Sequence, residues 1–145
     1  SSDVCSSDLN LKIKRDILTV EKLIEVAHEI VGRYELSNAD FSAGTVGAAL
    51  LTAKGNVYTG INIEVACGIG FCAEHSAIAE MLKNRETEIE MIVATNAESI
   101  IAPCGRCREL MFQVDNKNIN TKVYLSKEKY MTLDELLPNR WKPSI

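Results

Sequence analysis

Three cysteines and a glutamate stand at spacings that suit metal chemistry. Cys72 and Glu74 belong to Cys-Ala-Glu, and Cys104 and Cys107 belong to Pro-Cys-Gly-Arg-Cys. Thiolates are soft ligands that select zinc, and three of them leave a fourth tetrahedral position open. Zinc with an open position lowers the pKa of its water toward ~7. Glu74, two residues after Cys72, is near enough to accept that proton and hand it to a leaving group. The same spacing also spells a closed Cys₃His site, Cys72-x-x-His75 with Cys104-x-x-Cys107, which would bind metal and do no chemistry. That alternative leaves Glu74 and Pro103 unexplained.

Such cysteines are best delivered by helix N-termini, where unpaired N–H groups and a partial positive charge stabilise sulfur anions. Ala73, Ala77, Ile78, Met81 and Leu82 form an apolar face that predicts a helix over 72–84. A second short helix is expected over 105–113, just after Pro103. Upstream, Thr45–Leu51 and Val57–Ile63 flank Gly55-Asn56 and read as a β-hairpin, and residues 64–71 read as a loop. Strands are expected over 90–95 and 122–126, and Thr132 caps a last short helix before Pro138. Near the start, Val20, Leu23, Ile24, Ala27, Ile30, Val31 and Tyr34 predict a helix over 19–36, capped by Thr19. His28 lies at the edge of that stripe and reads as a packing or surface residue. The alternation predicts an α/β domain with helices packed on a mixed sheet.

At 145 residues the chain is the size of one domain, long enough to bury a core without disulfides. Sixteen basic residues against 20 acidic ones give −4, and the basic ones are scattered, so nothing tracks a phosphate backbone and a nucleic-acid substrate is disfavoured. No apolar run approaches the ~18 residues of a membrane span. Five cysteines, an odd number, argue against a disulfide framework. Residues 1–9, Ser/Asp-rich and aperiodic, read as a non-native leader ahead of a single domain over 10–145, and Cys5 leaves the count with them. Cys67 reads as a small buried filler.

Cys-Ala-Glu followed by Pro-Cys-x-x-Cys is the thiolate form of the zinc-deaminase signature. Joined with Val46-Gly47-Ala48-Ala49-Leu50, Gly60-Ile61-Asn62-Ile63-Glu64, Pro103-Cys104-Gly105-Arg106-Cys107-Arg108 and Glu135-Leu136-Leu137-Pro138, it makes residues 39–138 resemble the small cytidine deaminase family, including its blasticidin-S deaminase branch. The resemblance implies a three-layer α/β/α fold around a central mixed sheet. It implies one Zn²⁺ per subunit on Cys72, Cys104 and Cys107, with Glu74 as proton shuttle. Asn62 and Glu64 would hold the sugar hydroxyls, and peptide groups at Ala73 and near Ala102 would contact the ring. It further implies a cytoplasmic homotetramer whose active sites are completed by neighbouring subunits. The expected reaction is hydrolysis of cytidine or 2′-deoxycytidine to the uracil nucleoside and ammonia. Blasticidin S and N4- or C4-modified cytidines are the alternative substrates, and a non-catalytic zinc-stabilised domain is the alternative of another class.

Two departures from the family pattern matter. The commonest form has Arg directly after Cys-Ala-Glu, where this chain has His75. Three thiolates with Zn²⁺ carry −1, so a cation is called for. Arg106 is the expected substitute, with a share for His75 if it is protonated. An aromatic residue usually sits two before the Val of Val-Gly-Ala-Ala, where Gly44 stands, and the loop over 65–71 is one residue shorter. Phe41, or Trp141 from a neighbour's C-terminus, could restore a stacking surface for the base, with ordinary core or interface packing as the alternative for both.

Overall fold

The computed structural model describes residues 19–142; Cys5 and the leader expected over 1–9 lie outside them. In chain order the elements are α1 (residues 19–29), β1 (Tyr34–Glu35), β2 (Ser42–Thr52), β3 (Val57–Glu64) and α2 (Ala73–Lys83). There follow β4 (Ile89–Thr95), β5 (Ile100–Ile101), α3 (Gly105–Val114) and a 3₁₀ turn over Asn116–Asn120. The chain closes with β6 (Lys122–Tyr124), β7 (Tyr130–Thr132) and α4 (Leu133–Leu136). Strand β2 is central: it carries β3 antiparallel along one edge, and β1 and β4 along the other. Strand β6 runs parallel to β4, with α3 in the crossover, and β7 returns antiparallel to β6.

Side-chain alternation with a period of two divides this mixed sheet into two apolar faces. Ala48, Leu50, Ile92, Ala94 and Val123 pack against Ala77, Ile78 and Met81 of α2, Met111 of α3 and Leu133 of α4. Their neighbours Ala49, Met91, Val93 and Tyr124 face the other way, onto Val20, Leu23 and Ala27 of α1. Three layers result, as the sequence predicts. Helix α2 lies close on β3 because residue 60 is glycine: a Cβ there would fall 2.4 Å from the Ala77 nitrogen. That contact fixes the height at which the first turn of α2 meets the end of β3.

The hairpin, both cysteine-bearing helices and the Thr132 cap stand where the sequence predicts them, the cap as a full capping box with Glu135. The first helix is shorter than expected. It ends at residue 29, because Gly32 donates to the Gly44 carbonyl at 2.8 Å and Tyr34–Glu35 pair with β2 instead of continuing the turn. Strand β6 stops at Tyr124, where Ser126 accepts the Lys129 N–H in a tight turn. His28 has a surface contact, its Nε2 3.3 Å from the Ala97 carbonyl. No helix among the described residues is long and apolar enough to cross a membrane.

Asn118, fully buried in the 3₁₀ turn, was not legible as a structural residue. Its Oδ1 accepts the Ile89 N–H at 2.8 Å, and its Nδ2 donates to the carbonyls of Thr87 and Met111. One side chain thus joins the start of β4 to the end of α3. Asn118→Ala strands two buried backbone groups and a part-buried one, and is expected to cost about 3 kcal/mol. A lowered denaturant midpoint at unchanged slope checks it; a midpoint within error of wild type would contradict this role.

Candidate active site

Cys72 and Cys104 occupy N-cap positions of α2 and α3 with extended backbone, and neither sulfur caps its own helix. The sulfurs are therefore free to meet between the two helix ends. Cys107, in the first turn of α3 and fully buried, completes the group. The Sγ atoms of Cys72 and Cys104 are 3.6 Å apart and those of Cys104 and Cys107 3.5 Å, and all three lie within 4.8 Å of one another. Tetrahedral zinc with bonds of ~2.3 Å needs sulfurs about 3.8 Å apart, so this set fits the ion. Among the described residues no other histidine, cysteine or carboxylate joins the group. His75 Nδ1 touches Cys107 Sγ at 3.4 Å but lies outside the common cluster, which argues against the closed Cys₃His site.

Glu74 is 5% exposed, and its Oε2 accepts from the Cys107 thiol at 3.6 Å. Burial raises the Glu74 carboxyl above its ordinary value. Burial, followed by the Glu74 charge, also pushes the Cys107 thiol up. Cys104 ends below the ordinary thiol value: burial raises it, but the backbone N–H of Cys107 and the neighbouring thiols outweigh that effect. A cation among the three sulfurs supplies the charge that burial withholds. Burial, then the Arg106 charge, lowers the His75 imidazole from its ordinary value.

A cleft of about 380 Å³ opens over these groups. Cys72, Ala73, Glu74 and Cys104 line its base, while Cys107 lies buried beneath. Asn62 and Glu64 line it at the end of β3, and Ala102 and Arg106 where the chain enters α3. Asn62 Oδ1 accepts the Val46 N–H at 2.9 Å, and its Nδ2 donates to Glu64 Oε1 at 3.2 Å. Asn62 thereby braces β2 and orients Glu64 together. Arg106 reaches across the mouth to donate to the Gly70 carbonyl at 3.3 Å. Arg108 instead points into the fold, donating to the carbonyls of Pro103 and Leu136. It holds the turn that presents Cys104.

Other expectations need correction. Cys67 is exposed, not a buried filler: with φ of 63° beside Gly68 at 66°, it forms the tip of a tight turn that leaves its side chain in solvent. Phe41 does not line the cleft; Trp141, expected there from a neighbouring chain, is 59% exposed in its own, its backbone N–H donating to Glu109. Phe71 lines the cleft instead. It was passed over because a lone aromatic in a glycine-rich loop carries no periodic signal.

The description "Cytidine and deoxycytidylate deaminase zinc-binding region" fits residues 19–123. The cytidine deaminase of Halalkalibacterium halodurans is 34% identical over 116 residues, 76% of this chain and 86% of that one. The blasticidin-S deaminase of Bacillus cereus is 26% identical over 140 residues, 83% of this chain and 90% of that one. The crystal structure of cytidine deaminase from Burkholderia pseudomallei aligns with a TM-score of 0.67 and 30% identity, covering 83% of this chain and 98% of that one. Sequence, fold and the trio of sulfurs agree over most of the length, and the chain belongs to the cytidine and deoxycytidylate deaminase zinc-binding family.

Proposed function

We propose that this protein hydrolyses free cytosine nucleosides, cytidine and 2′-deoxycytidine, to the uracil nucleosides and ammonia. The observation that carries this reading is the buried Glu74 carboxylate beside the three sulfurs, at the base of a cleft that Asn62 and Glu64 line. Zinc, when held by Cys72, Cys104 and Cys107, acidifies a water for attack at C4 of the ring. Glu74 takes a proton from the attacking water and gives it to ring N3. It next moves the remaining hydroxyl proton to the 4-amino group, and ammonia departs as the C4 carbonyl forms. Burial raises the Glu74 carboxyl above its ordinary value, which strengthens it as a proton acceptor. Asn62 and Glu64 hold the sugar hydroxyls, with Glu64 as acceptor, and peptide groups at Ala73 and Ala102 hold the ring edge.

Arg106 offsets the negative charge of the thiolate trio. Arg106→Ala is therefore expected to lower zinc affinity or turnover roughly tenfold, the scale of a group that supports metal ligands. Arg108→Ala should instead lower thermal stability, since it frees the Pro103 and Leu136 carbonyls. An Arg106→Ala protein with wild-type zinc affinity and turnover would remove this role.

The test of the function is loss of cytidine absorbance with purified, zinc-loaded protein, beside blasticidin S and an N4-acylated cytidine. Turnover of cytidine ahead of both supports the reading; exclusive turnover of either of the others reassigns the substrate. No turnover of any of the three overturns the substrate class. We assign the working form as a homotetramer in the cytoplasm, and the exposed apolar side chains of Ile69 and Tyr34 are available for contacts between subunits.

A further inference from the structure

We propose that Phe71 is the aromatic wall of the base subsite in this chain, and so a specificity-determining residue for the reaction above; the inference rests on that reading. A planar pyrimidine gains binding energy from stacking on an aromatic face. Of the residues lining this cleft, Phe71 is the only aromatic one among the described residues.

Strand β2 cannot supply the ring. Gly44 has a φ of +87°, and a Cβ there would lie 2.4 Å from the Gly32 carbonyl oxygen. The register of β2 against β3 also shifts between Ala43 and Gly47. Position 44 is therefore turned toward the segment after α1, with no room for any side chain. The missing aromatic is a consequence of backbone path, not only of residue choice.

Phe71, by contrast, is held rigidly at the cleft. Its N–H donates to the Ile63 carbonyl at 3.1 Å and its carbonyl accepts the Ile63 N–H at 3.0 Å. This paired bridge locks residue 71 beside the strand that carries Asn62 and Glu64, and directly before Cys72. One turn along α2, the His75 ring sits 6.4 Å away at 37°, tilted against the phenyl ring. His75 thus stands behind Phe71. The aromatic face and its support both come from the start of α2. Phe71 is half-buried and belongs to neither apolar cluster of the core.

The experiment compares wild type, Phe71→Ala and Phe71→Tyr, all zinc-loaded, in steady-state turnover of cytidine, with zinc content and sedimentation measured on each. Loss of base stacking is expected to raise KM by about ten- to a hundredfold in Phe71→Ala. The value of kcat should change less than KM, zinc should stay at one per chain, and Phe71→Tyr should restore KM to within a few-fold. An unchanged KM in an active Phe71→Ala protein overturns the inference and leaves the deaminase reading standing. A raised KM accompanied by loss of zinc or by dissociation of the assembly overturns it too, because Phe71 would then be a packing residue. Wild-type protein inactive on cytidine sinks the deaminase reading, and the inference falls with it.

Discussion

Glu74→Gln is expected to lower cytidine turnover by about 10²–10⁴-fold, the range for removing a positioned proton carrier, while the chain keeps its zinc. The substitution is nearly isosteric, so the buried side chain still fills its place at 5% exposure. Its amide can neither accept the proton of the attacking water nor return one to N3 and to the departing ammonia. Both halves of the reaction lose their carrier at once, so the effect falls on kcat. Binding depends on Asn62 and Glu64 and should change little. Zinc content holds because the three sulfurs cluster without Glu74. Metal analysis and steady-state kinetics on the same preparation check both halves. A Gln variant within tenfold of wild type would remove Glu74 from the chemistry and favour a metal site with no catalytic role.

Much of this site was legible because its parts carry local signals. The apolar periodicity after Cys72 places it at a helix start, and Pro103 marks the start that carries Cys104. Cys72, Cys104 and Cys107 are separated by up to 35 positions, yet the residue types alone named the trio. The two helix ends then had to meet, and the sulfur separations of 3.5 and 3.6 Å show that they do. What failed to show depends on contacts between distant segments. The end of α1 is set by a hydrogen bond from Gly32 to Gly44, twelve positions away, which no period within the helix reveals. Asn118 looks like any turn asparagine until β4 and α3 close around it. Cys67 and Cys107 are the same residue type, and only the turn at residues 67–68 tells why one is exposed and the other buried. Gly44 was read as a missing side chain, whereas the backbone shows a position where none can fit.

Cys107→Ser is expected to abolish zinc binding and, with it, turnover. Cys107 is fully buried beneath the cleft, so its sulfur meets the other two from the core side and no solvent-facing group can replace it. Serine is smaller, and its hydroxyl is a harder and far weaker acid than a thiol, so the soft three-sulfur set becomes a poor site for zinc. The loss should also appear without any substrate. Metal present at a thousand times its dissociation constant stabilises the native state by about 4 kcal/mol. Wild-type protein should therefore gain markedly in thermal midpoint when zinc is restored after chelation, and Cys107→Ser should not respond. His75→Ala, lacking only the imidazole next to Cys107, should retain one zinc per chain and the same thermal response. The opposite pattern, with His75→Ala losing zinc and Cys107→Ser keeping it, would make the histidine a ligand. It would return the site to the closed arrangement in which no position is left for water.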